Sequence, residues 1–147
     1  LIIYRVKTSA MQALPKSSNN MHKGFLTTAA IIGALSVALG AFGAHALKAM
    51  LTEQSLAIYE TAVRYQFYHV FALAITAILY KTYPNKLIKA AGQLFIIGMI
   101  FFSGSLYLLT YGASTGASYS WAGPITPLGG LMFIVAWICL ALGVRKG

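Results

Sequence analysis

Aspartate is absent from the 147-residue chain, and Glu53 and Glu60 are its two acidic side chains. An aspartic dyad, an EF-hand loop and an Asp-bearing catalytic triad are thereby excluded. Cysteine occurs once, as Cys139, which removes any internal disulfide or cysteine-rich metal centre. Neither a G-x-x-x-x-G-K-[ST] nor a G-x-G-x-x-G string is present, so both phosphate-cradling motifs are missing. Charge of any kind is scarce: charged residues make up 9% of the chain, against about 25% in a soluble domain. In its place, 59% of the residues are hydrophobic and the mean hydropathy is +0.74. What charge remains is mostly of one sign, 11 Lys and Arg against the two glutamates giving a net +9. These basic residues sit between apolar blocks, which is the pattern of membrane topology, so the expected partner is the lipid bilayer and not nucleic acid.

Four apolar blocks, at about 24–48, 65–83, 87–111 and 125–144, can each cross a hydrocarbon core of about 30 Å at about 1.5 Å per residue. Open β-structure cannot span lipid and the blocks lack the alternation of a barrel strand. The expected fold is therefore all-α, an integral membrane four-helix bundle, with residues 21–147 forming one four-span transmembrane domain. Residues 1–20 are polar after a short apolar start and contain Pro15 and a Ser-Ser-Asn-Asn run; they are expected to be a disordered or peripheral N-terminal extension. Lys23, the first block and Ala44-His45-Ala46 resemble a signal peptide with its cleavage site, but the block exceeds a typical h-region and three more spans follow.

The segment 51–64 differs from the other links. Thr52 is placed to cap a helix, Glu53 suits its first turn, and Leu56, Tyr59, Val63 and Phe67 recur at helical spacing. A short amphipathic outer helix between spans one and two is expected, running into the second span, with Glu60 and Arg64 spaced as an i,i+4 surface pair.

Four spans place both termini on one side. Arg5, Lys7, Lys16, Lys23, Lys81, Lys86, Lys89, Arg145 and Lys146 fall on that side, against Lys48 and Arg64 on the other. The positive-inside rule makes the termini cytoplasmic. Tyr80 and Tyr83 then mark the inner interface, and Tyr111, Tyr119 and Trp121 the outer one.

With topology assigned, the unusual side chains share one level. His45, Glu60, Arg64, Tyr65, Gln66, His69, Ser103, Ser105, Tyr107 and Thr126 all fall in the outer half, whereas the inner half is mostly aliphatic, with Gln93 the main exception. Polar groups in lipid require partners or water, so these residues are expected to face one another as a polar cluster. Gly33, Ser36, Gly40, Gly43, Ala44, Gly104, Pro127 and Gly129 read as helix-packing positions, where small side chains or a proline shape close contacts. Ser103 and Ser105 read chiefly as hydroxyl glue between helices, and Cys139 as small core packing.

Four strings carry a family resemblance: Gly40-Ala41-Phe42-Gly43-Ala44-His45, Tyr65-Gln66-Phe67-Tyr68-His69, Phe102-Ser103-Gly104-Ser105-Leu106-Tyr107 and Thr126-Pro127-Leu128-Gly129-Gly130. In order and spacing, the chain from Met21 onward resembles the YgdD-like group of small bacterial inner-membrane proteins, the domain of unknown function 423, to which a eukaryotic transmembrane protein group is related. The resemblance implies a four-span inner-membrane protein and no settled activity or cofactor. Its motif positions are Gly40, Gly43, His45, Tyr65, Gln66, His69, Ser103, Gly104, Ser105, Tyr107, Pro127 and Gly129; Glu60 and Arg64 lie outside the pattern.

The leading functional expectation is a non-enzymatic accessory, scaffold or interaction protein that binds a membrane-protein partner or a second copy of itself, with no catalytic residue, metal or cofactor. Two alternatives use the histidines. In one, His45 and His69 pass or sense protons or a small polar solute. In the other they ligate haem or, with Glu60, a metal.

Overall fold

The computed structural model describes residues 20–146, so the expectation for the N-terminal extension lies almost wholly outside the described residues. Four long helices follow one another: α1 Lys23–His45, α2 Glu53–Thr82, α3 Lys86–Thr115 and α4 Ile125–Lys146. Short 3-10 turns at Leu47–Ala49 and Ser120–Ala122 complete the described secondary structure, which contains no strand. All four helices are long and apolar enough to cross a membrane.

The helix ends follow local chemistry. His22 caps α1 by accepting the Phe25 N–H at its Nδ1 (3.1 Å). Its ring stacks on Phe25 at 3.7 Å. Thr52 caps α2 through the Ser55 N–H. No Gly or Pro interrupts residues 53–82, so the expected outer helix is not a separate element: its residues form the first turns of a single 30-residue α2. Pro84 stops that helix, because a proline disfavours helical geometry in the residue before it, and Tyr83 accordingly leaves the helix. Asn85 then starts α3, its Oδ1 accepting from Leu87 and Ile88 N–H. Gly116 closes α3 at φ 73°, a left-handed conformation suited to glycine.

Neighbours in sequence are neighbours in space. Along α1, the residues Gly43, Gly40, Ser36 and Gly33 meet Tyr59, Val63, Gln66 and Val70 of α2, an antiparallel ladder advancing about one turn at each step. Between α3 and α4 the rungs are Ser105 with Thr126, Phe102 with Gly129, Gly98 with Phe133 and Ile88 with Gly143. A Cβ on Gly129 would fall 2.8 Å from the Phe102 Cα, so the two backbones meet there directly. Helices α2 and α3 form the middle of the arrangement, with α1 and α4 flanking them.

The core is built from Phe25, Val70, Leu73, Ile88, Phe95, Met99, Phe133 and Leu140. Outside it, large apolar residues remain exposed on every helix, among them Ile31, Phe71, Ile100 and Leu131. Contiguous apolar exposure on this scale marks a surface that meets something other than water, here acyl chains.

At one end of the molecule the His22 N–H donates to the Ala77 carbonyl (3.0 Å). There too the Asn85 side chain donates to the Gly143 carbonyl (2.8 Å). The beginning of α1 and the end of α4 therefore lie at the same end.

Candidate functional site

Seen from α2, the polar residues sort into two groups. The first centres on Gln66, which is 5% exposed. Its Nε2 donates to Ser36 Oγ of α1 (2.8 Å), and its Oε1 accepts from Tyr107 Oη of α3 (3.0 Å). The Ser36 hydroxyl in turn donates to the Ile32 carbonyl (2.8 Å). One amide thus ties three helices together. Tyr59 adds a second tie between α2 and α1, its hydroxyl donating to the Leu39 carbonyl (2.7 Å). Ser103 Oγ donates to the Ala62 carbonyl (2.8 Å), joining α3 to α2. Ser105 Oγ donates to the Phe102 carbonyl and lies 2.7 Å from Thr126 Oγ1 of α4. Since Ser105 has one proton, the Thr126 hydroxyl supplies the proton of the second bond.

Among the described residues, no buried side-chain nitrogen or oxygen lacks a hydrogen-bond partner. In hydrocarbon this matters, because an unpaired polar group has no water to turn to. Gln66, Ser36, Ser103 and Ser105 meet this need across helices, whereas Thr76 and Thr110 bond back to the preceding turn of their own helix.

The second group surrounds His69, which is 6% exposed. Its imidazole lies flat on Phe133 of α4, with centroids 3.4 Å apart and planes 3° from parallel. Its Nδ1 is 2.7 Å from the Tyr65 carbonyl one turn earlier. A carbonyl can only accept, so Nδ1 carries the proton and Nε2 the lone pair in the neutral ring. Beside it runs a groove of about 860 Å³ between α2 and α4, lined by Tyr65, Tyr68, His69, Phe102, Pro127 and Trp137 among others.

Several expected cluster members lie elsewhere. His45 is exposed at the end of α1. Gly33, which meets Val70 beside His69, is twelve residues earlier in α1; at about 1.5 Å per residue this separates the levels of the two imidazoles by about 18 Å. The structure therefore does not bring His45 and His69 together. Glu60 and Arg64 are also exposed and border a shallow hollow of about 210 Å³ with Gly40, Gly43, Ala44 and Tyr59. Tyr65, at 39% exposure, turns its ring to the groove instead of the Gln66 network. Gly104 was expected at a helix contact, but a Cβ there would meet nothing within 4 Å. Among the described residues, no group of three His, Cys, Asp or Glu is arranged to hold a metal.

The sequence assigns no role to Asn85 or His22, places Tyr59 only on the apolar face of the segment 51–64, and marks Ser36 only as a packing residue. Asn85 carried a legible signal, since an Asn just after Pro84 and ahead of an apolar block is a helix-start signature. The partner of Tyr59, a carbonyl on another helix, leaves no mark in sequence spacing.

Comparison with known proteins agrees with this architecture. The family model described as Protein of unknown function (DUF423) matches residues 39–130, a stretch that includes Gln66, His69, Ser103, Ser105, Tyr107 and Thr126. The UPF0382 membrane protein YwdK of Bacillus subtilis is 38% identical over 129 residues, covering 84% of this chain and 98% of the relative. A UPF0382 membrane protein of Haemophilus influenzae is 38% identical over 126 residues, with 86% and 97% covered. One from Staphylococcus haemolyticus is 38% identical over 124 residues, with 84% and 97% covered. No solved structure matches the chain. With its four apolar helices and these relatives, the chain belongs to the DUF423 family, the UPF0382 membrane proteins.

Proposed function

We propose that this chain is a non-enzymatic accessory or scaffold protein of the bacterial inner membrane, holding a partner membrane protein against α1. The observation that carries this reading is the surface of α1, the least buried of the four helices. Its small residues are divided between two faces. Gly33, Ser36, Gly40 and Gly43 are turned to α2, whereas Ala30, Ala34, Ala38 and Ala41 remain exposed. In lipid, small residues at intervals of four let a second helix approach closely and gain dispersion contacts that acyl chains match poorly. Consistent with a scaffold, Gln66, Ser103 and Ser105 are occupied in tying neighbouring helices together.

The orientation we propose puts both termini in the cytoplasm. Lys23, Lys81, Lys86, Lys89, Arg145 and Lys146 gather at the end where α1 begins and α4 finishes, and a basic excess favours the cytoplasmic face.

Gentle detergent extraction followed by size and mass determination tests the reading. Wild-type protein should migrate as a complex with a second membrane protein, and Ala34→Leu combined with Ala38→Leu should release it while the chain stays folded. A strictly monomeric, partnerless wild-type protein would contradict the proposal.

A further inference from the structure

The groove between α2 and α4 is separate from the α1 face, and its chemistry points to a small molecule. Its walls are chiefly aromatic: Tyr65 and Tyr68 from α2, Phe102 from α3, and Phe133 and Trp137 from α4. Pro127 and Gly130 keep α4 slim along it; a Cβ on Gly130 would meet only the Phe102 ring, at 3.8 Å. The one buried polar side chain on this surface is His69.

The direction of the imidazole follows from its bonds. Nδ1 is committed to the Tyr65 carbonyl, which leaves Nε2 as an acceptor with no hydrogen-bond partner among the described residues. Because no fully buried side-chain polar atom among the described residues is left unpaired, Nε2 is reachable from outside, and the surface His69 lines is this groove.

Depth narrows the occupant. Phe133, on which His69 is stacked, comes eight residues after Ile125, the first residue of α4. That is about 12 Å along the helix axis, well inside hydrocarbon and beyond the reach of a phospholipid headgroup without a large penalty. A molecule that reaches this level has an apolar body. To use the site it must present a hydrogen-bond donor to Nε2 and a flat face to the aromatic walls. The groove volume, about 860 Å³, lies within the range of about 300–1,000 Å³ common for small-molecule sites.

We propose that the groove binds a lipid-soluble phenol or quinol, an aromatic ring bearing a hydroxyl on an apolar tail, with the hydroxyl donating to His69 Nε2 and the ring packed among Tyr65, Phe102 and Trp137. No bond is made or broken in this step; the imidazole accepts a hydrogen bond and keeps its own proton on Nδ1.

The test uses the full chain with Trp121→Phe, in phosphatidylcholine nanodiscs. Trp121 is exposed and lies outside the groove, so its removal leaves Trp137 as the fluorescent reporter. The probe is a hydroquinone carrying a decyl chain, kept reduced under argon. It should change Trp137 emission saturably, and its dimethyl ether, with the same body and no donor, should bind about fivefold or more weakly, the loss expected of one hydrogen bond. His69→Phe preserves a flat ring on Phe133 and removes the acceptor, and should weaken the hydroquinone by a similar factor while leaving the ether unchanged. Gly130→Phe puts a ring into the groove while keeping the His69 imidazole in the sequence, and should abolish binding of both. Emission that tracks bulk partitioning without saturation would overturn the proposal and assign the groove to acyl chains. Equal binding of diol and ether, or full binding by the Gly130→Phe protein, would overturn it as well, even if the His69 variant does not fold.

Discussion

Gln66 uses both ends of one amide, donating to Ser36 on α1 and accepting from Tyr107 on α3. Gln66→Leu removes both bonds at once and leaves the Tyr107 hydroxyl without its partner. We expect it to lower unfolding free energy by about 1–3 kcal/mol, the cost of orphaning a buried polar group. A double-mutant cycle with Tyr107→Phe in mixed micelles should show a coupling of about 0.6 kcal/mol, typical of interhelical hydrogen bonds in membranes. Zero coupling would mean that the amide and phenol do not meet. At this scale the sequence showed which residues are polar and roughly how deep they lie, which was enough to nominate Gln66, Ser103, Ser105 and Tyr107. It did not show azimuth. Arg64 has suitable depth yet faces outward, because the face a helical residue presents depends on which neighbours the helix packs against; His45 differs in depth as well, lying at the end of α1 about 18 Å from the level of His69. Ser36 was assigned to packing for the opposite reason: its small size was legible, but the Gln66 amide opposite it was not.

Helix contacts in this molecule are governed by where a side chain is missing. At Gly129 an added Cβ would run into the Phe102 backbone, which cannot rotate away, whereas at Gly104 it would meet nothing. Gly129→Ala should therefore destabilise the α3–α4 pair by about 1–3 kcal/mol through overpacking, and Gly104→Ala should stay within about 0.5 kcal/mol of wild type. Thermal unfolding in detergent separates the two. If both substitutions are neutral, the close backbone approach is wrong. Asn85 is the second element-scale test. Asn85→Ala removes the α3 cap and the bond to the Gly143 carbonyl, and should cost about 1–2 kcal/mol. Helix existence and order were legible from hydropathy, since each span is a long apolar run. The full length of α2 was less so, because its first turns carry Glu53, Glu60 and Arg64 and resemble a surface helix; the absence of any Gly or Pro between residues 53 and 82 is what makes the two parts one rod.

On the scale of the whole molecule, the bundle presents two independent surfaces to lipid, the alanine face of α1 and the aromatic groove between α2 and α4. The orientation proposed for the membrane rests on the charge distribution and can be checked by labelling. In a Cys139→Ala background, a cysteine placed at Ser118 should react with an impermeant maleimide in intact cells, and one placed at Lys146 only after permeabilisation. The reverse pattern would invert the proposed topology. The family relationship establishes a membrane protein whose relatives share nearly their full length with it, but the shared architecture does not name a partner. That rests on α1, and the most direct measurement is photo-crosslinking inside the bilayer. A photoreactive amino acid at Ala34 or Ala38 should give a discrete adduct with a second membrane protein in intact cells, while the same group at Ile100 on α3, which is also exposed, should label lipid alone. Adducts with lipid alone at all three positions would contradict the account.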